Sequence, residues 1–158
     1  MEAYFSLGSN LGDRRGNIIM AAKKLDEALS AHWSRMSDIE ESEAWGFVGG
    51  DFLDCIVVYD LPARQCYADE DAEALLDVCK KIEYEMGRRE KIEIDSCGKR
   101  IYHDRIIDID ILFLGGRRIH TGRLTVPHPL ISEREFILRP LGRVASQEIK
   151  SSFEEIFR

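Results

Sequence analysis

Asp104-Arg105-Ile106-Ile107-Asp108-Ile109-Asp110-Ile111-Leu112-Phe113-Leu114 is the stretch on which the fold turns. Its β-branched and aromatic residues predict a buried strand. Side chains alternate along a strand, so Asp108 and Asp110 share one face, while Ile107, Ile109, Ile111 and Phe113 point into a core. Carboxylates at i and i+2 stand roughly 7 Å apart, and within an apolar run they repel each other and resist desolvation. Two readings are open. In one, a divalent cation relieves both problems. Mg²⁺ is commonly held by one or two carboxylates plus substrate phosphates, and adjacent same-face carboxylates can span a metal pair about 3.5–4 Å apart. Arg105, just upstream, would then offer a guanidinium to the same phosphates. In the other reading this is a solvated edge strand with two surface acids.

Upstream, Arg88–Asp104 is long, polar and charged, the profile of a lid or binding loop. Before it a helix is predicted from about Asp69 to Met86, with Leu75, Leu76, Cys79, Ile82 and Met86 inward and Gly87 as its C′ residue. Phe52–Tyr59 reads as a strand, and Glu43–Asp51 as a glycine-containing loop. A strand is expected near Met36–Ser42. At the start, Ala3–Leu7 reads as a strand, Gly8–Asp13 as a turn, and a helix follows from about Arg14 with Ile18, Ala21, Ala22, Leu25 and Leu29 on one face. Downstream, Gly115-Gly116 marks a hairpin turn, and Ile119 and Leu124–Val126 are short strands. Ser132-Glu133-Arg134-Glu135 fits a capping box opening a helix that Pro140 limits. A last helix is expected over Ser152–Phe157. This order of elements predicts an antiparallel sheet carrying helices.

With 158 residues, 44% of them hydrophobic, the chain is long enough for one domain with a sizeable core, and disorder is excluded. The formal net charge of −7 argues against a general nucleic-acid or anionic-membrane binder. Arg14-Arg15, Arg88-Arg89, Lys99-Arg100 and Arg117-Arg118 remain candidates for a local basic pocket. No apolar run spans a bilayer, and Met1–Ser6 lacks the basic and apolar regions of a signal peptide. Cys55, Cys66, Cys79 and Cys97 form no C-x-x-C pair, and free thiols imply a reducing cytoplasm.

Ser6-Leu7-Gly8-Ser9-Asn10-Leu11-Gly12-Asp13 has the form of a glycine turn around a ligand, with Gly8 allowing close approach and Ser9 and Asn10 supplying polar contacts. Val126-Pro127-His128-Pro129 is a rigid turn carrying a histidine. Taken with Trp45-Gly46-Phe47, Phe52-Leu53-Asp54-Cys55, Glu83 before Gly87-Arg88, the acidic strand, and Arg123-Leu124-Thr125-Val126 through Arg134-Glu135-Phe136 to Pro140-Leu141, the chain resembles the 6-hydroxymethyl-7,8-dihydropterin pyrophosphokinase family over nearly its whole length.

That resemblance implies an α+β fold, a ferredoxin-like α/β sandwich with a mainly antiparallel sheet and flanking helices, as a single domain over residues 1–158. It implies pyrophosphate transfer from ATP to the hydroxymethyl group of the pterin, with AMP leaving, in folate biosynthesis. Asp108 and Asp110 are expected on two Mg²⁺ ions. Arg88, Arg105, His128 and Arg134 are expected near the nucleotide or its phosphates, and Glu83, Arg123 and Thr125 in the nucleotide pocket. The pterin is expected between Phe52 and Phe136, with Gly8, Ser42, Trp45 and Asp54 around it. The chain departs from the family pattern at Asp54, where asparagine is usual, at Ala44 for a common proline, and at Tyr102 for a frequent tryptophan. Arg89, Lys99 and Arg100 all remain candidates for a further loop cation. Two other readings compete: a nucleotide-sugar glycosyltransferase using D-x-D, disfavoured by the short chain and the strand-embedded carboxylates, and a ligand-binding regulatory module, which gives no reason for two same-face acids beside Arg105.

Overall fold

The computed structural model describes residues 1–44, 49–63, 68–88, 93–101 and 104–158. The central strand is β1 (Glu2–Ser9), buried along nearly its whole length. It is flanked antiparallel by β4 (Phe52–Asp60) and by β7 (Asp108–Leu114). On the outer side of β4 run two short antiparallel strands, β2 (Arg35–Met36) and β3 (Glu40–Ser42). Helix α1 (Arg14–Leu29) follows β1, and α2 (Asp69–Glu85) follows β4. Counting β2 and β3 as one interrupted strand, the order is β-α-β-β-α-β with the last strand beside the first, the ferredoxin-like arrangement the resemblance implies.

The strand expected over 36–42 is broken in two by an extra residue. Met36 pairs with Val57 and Glu40 with Asp54, so three residues oppose two. Ser37 fills the break: its backbone N–H donates to the Ile56 carbonyl at 2.9 Å, and its hydroxyl accepts from the Ile56 N–H at 2.8 Å. A second irregularity lies in β7. Tyr4 faces Phe113 while Phe5 faces Ile111, leaving Leu112 as the bulged residue. Alternation would put Phe113 with Ile109 and Ile111. The bulge turns it to the opposite face.

Each face of the sheet has its own core. Ala3, Phe5, Leu7, Cys55, Val57, Tyr59, Ile109 and Ile111 pack beneath α1 and α2 through Ile18, Ala21, Leu25, Leu75, Cys79 and Ile82. On the other face Tyr4, Ile56, Val58, Leu112 and Phe113 meet α3 (Glu135–Val144) and α4 (Gln147–Ser152) through Ile137, Leu141 and Ile149, with Phe153 beyond. Phe113 anchors this face, edge-on to Tyr4 at 5.7 Å and 4.9 Å from the Phe153 ring. Aromatic pairs of this kind contribute roughly 0.5–1.5 kcal/mol beyond their buried area.

Four local expectations are corrected. Pro140 lies inside α3 and is buried, so burial of Ile137, Pro140 and Leu141 outweighs the missing N–H bond. Ile131–Glu133 forms a 3-10 turn, and α3 begins at Glu135 after an extended Arg134 with no side-chain cap, in place of a capping box. The C-terminal helix is two short ones, α4 and α5 (Glu154–Phe157). The Gly115-Gly116 turn does not close a hairpin with β7, because β8 (Ile119–His120) pairs with β9 (Thr125–Val126). Within 88–104 the described residues hold a hairpin, β5 (Glu93–Ile94) on β6 (Arg100–Ile101). No helix among the described residues is long and apolar enough to cross a membrane.

Candidate active site

The strand alternation that buries Phe5, Leu7, Val57 and Ile109 beneath α1 and α2 sends the residues between them to the other face. Near the ends of the strands that face is no longer apolar. It carries Ser6 and Gly8 from β1, Phe52 and Asp54 from β4, and Asp108 and Asp110 from β7. Together with Glu43, Arg105, Leu130, Arg134, Phe136 and Ile137 they line a cleft of about 100 Å³. The ladder register sets its floor: Gly8 stands opposite Asp54 on one side and Asp108 on the other. A Cβ at Gly8 would lie 2.8 Å from Oδ1 of Asp54 and 3.4 Å from the Phe52 ring, so a side chain there would close the cleft. An outer groove of about 560 Å³ adjoins it, sharing Asp54 and Phe136 and adding Ser42.

Asp108 and Asp110 share one face as expected, in different electrostatic settings. Both oxygens of Asp108 are taken by guanidinium groups, Oδ1 by Arg88 at 2.8 Å and Oδ2 by Arg105 at 3.0 Å. Among the described residues Asp110 has one cation nearby, Arg134 at 3.6 Å, with the His128 ring at 3.9 Å. Burial, then the neighbouring Asp108 carboxylate, pushes its carboxyl up to about 7. Among the described residues no group of three or more side chains could cage a metal. A paired set of aspartates fits Mg²⁺ instead, an ion that takes few carboxylates and completes its shell with phosphates and water.

Glu83 was expected at the nucleotide. The structure buries it on α2, where its Oε2 accepts from Arg88 and, at 2.9 Å, from the Ile109 N–H. It holds Arg88 beside Asp108 and satisfies an outward-facing amide of β7, the edge strand of the sheet. Gly87 ends the helix with φ +100, a conformation that side-chain-bearing residues rarely adopt, and turns Arg88 back toward β7. Burial, followed by Arg134, lowers His128 to about 4, so its ring is neutral near pH 7. Its Nδ1 accepts from the Leu130 N–H at 3.2 Å, which leaves the proton on Nε2, facing Asp110.

Other residues are not gathered into the cleft. Arg123 is held on α2 by Asp77, with Glu73 at 3.9 Å. Thr125 lies on β9, bonded to His120 at 3.2 Å. Trp45, Arg89 and Tyr102 lie outside the described residues, as do the side chains of Arg100 and Cys66. Ser9 and Asn10, read from sequence as ligand contacts, serve the fold instead. Ser9 accepts from Asn17. Asn10 donates to Asp104 at 2.8 Å and the Gly50 carbonyl at 3.0 Å, accepts from the Arg105 N–H at 2.6 Å, and so ties three segments at the cleft rim. Only the pairing of distant loops reveals this role, and no local sequence signal carries it.

The family profile described as 7,8-dihydro-6-hydroxymethylpterin-pyrophosphokinase matches residues 4–146. A protein of Aquifex aeolicus named 2-amino-4-hydroxy-6-hydroxymethyldihydropteridine pyrophosphokinase is 39% identical over 139 residues, spanning 87% of this chain and 76% of its own. Like-named proteins of Porphyromonas gingivalis (strain ATCC 33277) and Bacillus subtilis are 36% and 30% identical, covering 90% and 95% of this chain and 89% and 81% of theirs. The profile spans the glycine turn, the acidic strand and the segment leading into α3, and the chain belongs to the 7,8-dihydro-6-hydroxymethylpterin-pyrophosphokinase family.

Proposed function

We propose that Asp108 and Asp110, with two Mg²⁺ ions, and Arg88 and Arg105 carry the transfer in this chain. The reaction is the family's: pyrophosphate passes from ATP to the hydroxymethyl group of 6-hydroxymethyl-7,8-dihydropterin, in folate biosynthesis. The substrate oxygen forms a bond to the β-phosphorus of ATP, the bond from that phosphorus to the AMP oxygen breaks, and the hydroxyl proton is released. The observation that carries the residue assignment is the pair of same-face aspartates in one cleft, one held by two arginines and the other short of cations.

Mg²⁺ held there would neutralise developing phosphate charge and polarise the phosphorus centre. The remaining work is positioning and charge complementarity, which dominate phosphoryl-type transfers. Arg88 and Arg105 are fork-shaped donors already aimed at the acidic strand, and a polyphosphate is a stronger partner for them than one carboxylate. Neutral His128 offers Nε2–H to a phosphate oxygen, and Arg134 stands beside it. Phe52 and Phe136 supply faces for a flat heterocycle, with Gly8, Ser42, Trp45 and Asp54 around it. Glu83 acts through Arg88, and Arg123 and Thr125 serve the nucleotide from β8–β9. The thiols of Cys55, Cys79 and Cys97 are unpaired, which supports a reducing, cytoplasmic setting.

The test is product analysis with ATP, the reduced hydroxymethylpterin and Mg²⁺, repeated with chelator. AMP and pyrophosphorylated pterin in equal amounts, dependent on Mg²⁺, are expected. ADP with a monophosphorylated acceptor would overturn the reaction, and full turnover in chelator would overturn the metal assignment.

A further inference from the structure

The chain's own cations clamp one of the two aspartates. Arg88 Nη1 donates to Oδ1 of Asp108 at 2.8 Å, and Arg105 Nη1 donates to Oδ2 at 3.0 Å. Neither guanidinium is a loose surface charge, since the Arg88 side chain is 14% exposed and that of Arg105 18%. Arg88 has a second anchor, because the buried Glu83 carboxylate accepts from the same Nη1. Two residues along β7, Asp110 faces Arg134 at 3.6 Å. Among the described residues these contacts join three carboxylates to three guanidiniums, so the cluster balances its own charge.

That balance works against a bare divalent ion. Each carboxylate oxygen can accept more than one partner, so the obstacle at Asp108 is charge rather than occupancy. An ion bound there would stand beside two guanidiniums, and like charges repel strongly where water is scarce. Driving the arginines off instead would leave half-buried cations without their acceptor, which is costly. A metal–polyphosphate complex removes both obstacles. It carries more negative than positive charge, and its oxygens suit the forked donors of arginine better than one carboxylate does. Arg88 can change partners on one side while Glu83 holds it on the other.

We propose that Arg88 and Arg105 form a clasp that closes Asp108 to bare divalent cations and opens to the metal–polyphosphate complex, so that metal and nucleotide enter the cleft as one unit. The inference rests on the reading of Asp108, Asp110 and the two arginines as a metal and phosphate site. The same exchange that frees Asp108 for the metal hands both guanidiniums to the phosphates. An excess of free Mg²⁺ then does not fill the site ahead of the nucleotide.

The probe is Mn²⁺ alone, titrated into the full-length protein near neutral pH and followed by loss of the free-ion electron paramagnetic resonance signal. Arg88→Gln and Arg105→Gln are each expected to bind it roughly tenfold or more tightly than the parent protein, because each removes a like charge beside the ion. An arginine with a purely structural role would give no such gain. Adding Asp108→Asn to either variant is expected to abolish the gain, which assigns it to this carboxylate. Arg117→Gln is the control for net charge, since Arg117 is paired with Asp69 away from the cleft, and it should match the parent. Equal Mn²⁺ affinity in the parent and both arginine variants overturns the proposal, as does a gain that survives Asp108→Asn or appears equally in Arg117→Gln. If circular dichroism shows that one arginine variant does not fold, the other decides. The titration is repeated with a non-hydrolysable ATP analogue. If the parent protein binds no metal–nucleotide complex, the reading of the cleft itself fails. If it binds the complex and the variants gain nothing toward the bare ion, only the clasp fails.

Discussion

Replacing Asp54 by asparagine is expected to stabilise the protein free of metal and ligand at neutral pH. The native carboxyl titrates at about 6 against an ordinary 3.8. Folding therefore raises its proton affinity. Between about pH 4 and 6 the unfolded chain has lost this proton while the native state keeps it, so stability falls as pH rises through that window. Below pH 4 both states are protonated and no cost is present. Above pH 6 the native state must hold the charge. The difference between 3.8 and about 6 corresponds to about 3 kcal/mol at 1.36 kcal/mol per pH unit. Asparagine never pays this electrostatic cost and can keep a bond to Ser42, but its own unmade bond takes back about 1 kcal/mol. The net gain is about 2 kcal/mol at pH 7.5, or roughly 4–8 °C in Tm for a domain of this size. The assay is urea unfolding of both proteins in chelator at intervals from pH 4 to 8. The difference should be near zero or reversed at pH 4 and grow to its plateau by about pH 6.5. A difference that is constant across pH, or a less stable variant at pH 7.5, would refute the reasoning. A stabilised variant that binds pterin poorly would show that the native aspartate is kept for recognition at the expense of stability.

Asp108→Ala and Asp110→Ala are each expected to lose turnover by at least 100-fold with circular dichroism unchanged, because metal-held charge in the transition state is worth several kcal/mol. Near-normal rates in either folded variant would sink the metal assignment. Glu83→Ala should destabilise the fold by roughly 3 kcal/mol, the scale for breaking a buried ion pair. Glu83→Gln should lose about half as much, since it can still accept from Ile109, and equal losses in denaturant unfolding would show that the backbone contact carries nothing. The β5–β6 hairpin is exposed along the described β5 residues, with Ile94 at 64%. We expect its amides to exchange fast in the free protein and slowly only when nucleotide and pterin are both bound. Equal exchange with and without the two ligands would mean the hairpin does not act as a lid.

The β7 sequence carries both the architecture and the chemistry of its strand, because period-two alternation alone sorts Ile109 and Ile111 from Asp108 and Asp110. It stops being legible at Leu112, where the bulge is decided by how Tyr4 and Phe5 on another strand meet it. Pro140 fails as a helix stop for the same kind of reason. Its local penalty is visible, while the burial that offsets it depends on the distant residues Ile56, Val58 and Phe113. Glu83 and Asn10 show the limit most sharply. Both are polar residues in functional-looking blocks, and each spends its hydrogen-bonding capacity on protein backbone and side chains. A polar residue near a site either touches the ligand or orders the residues that do, and the spacing of residue types cannot separate the two. The count of bonds already made can. Asn10 has a partner on both its amide nitrogen and its oxygen, and Glu83 is engaged by a guanidinium and a peptide N–H. Asp54 is the converse case, with one oxygen open to the cleft and no donor to it among the described residues. Each oxygen of Asp108 faces an arginine that a polyphosphate can draw away, so ligand binding there is an exchange of partners.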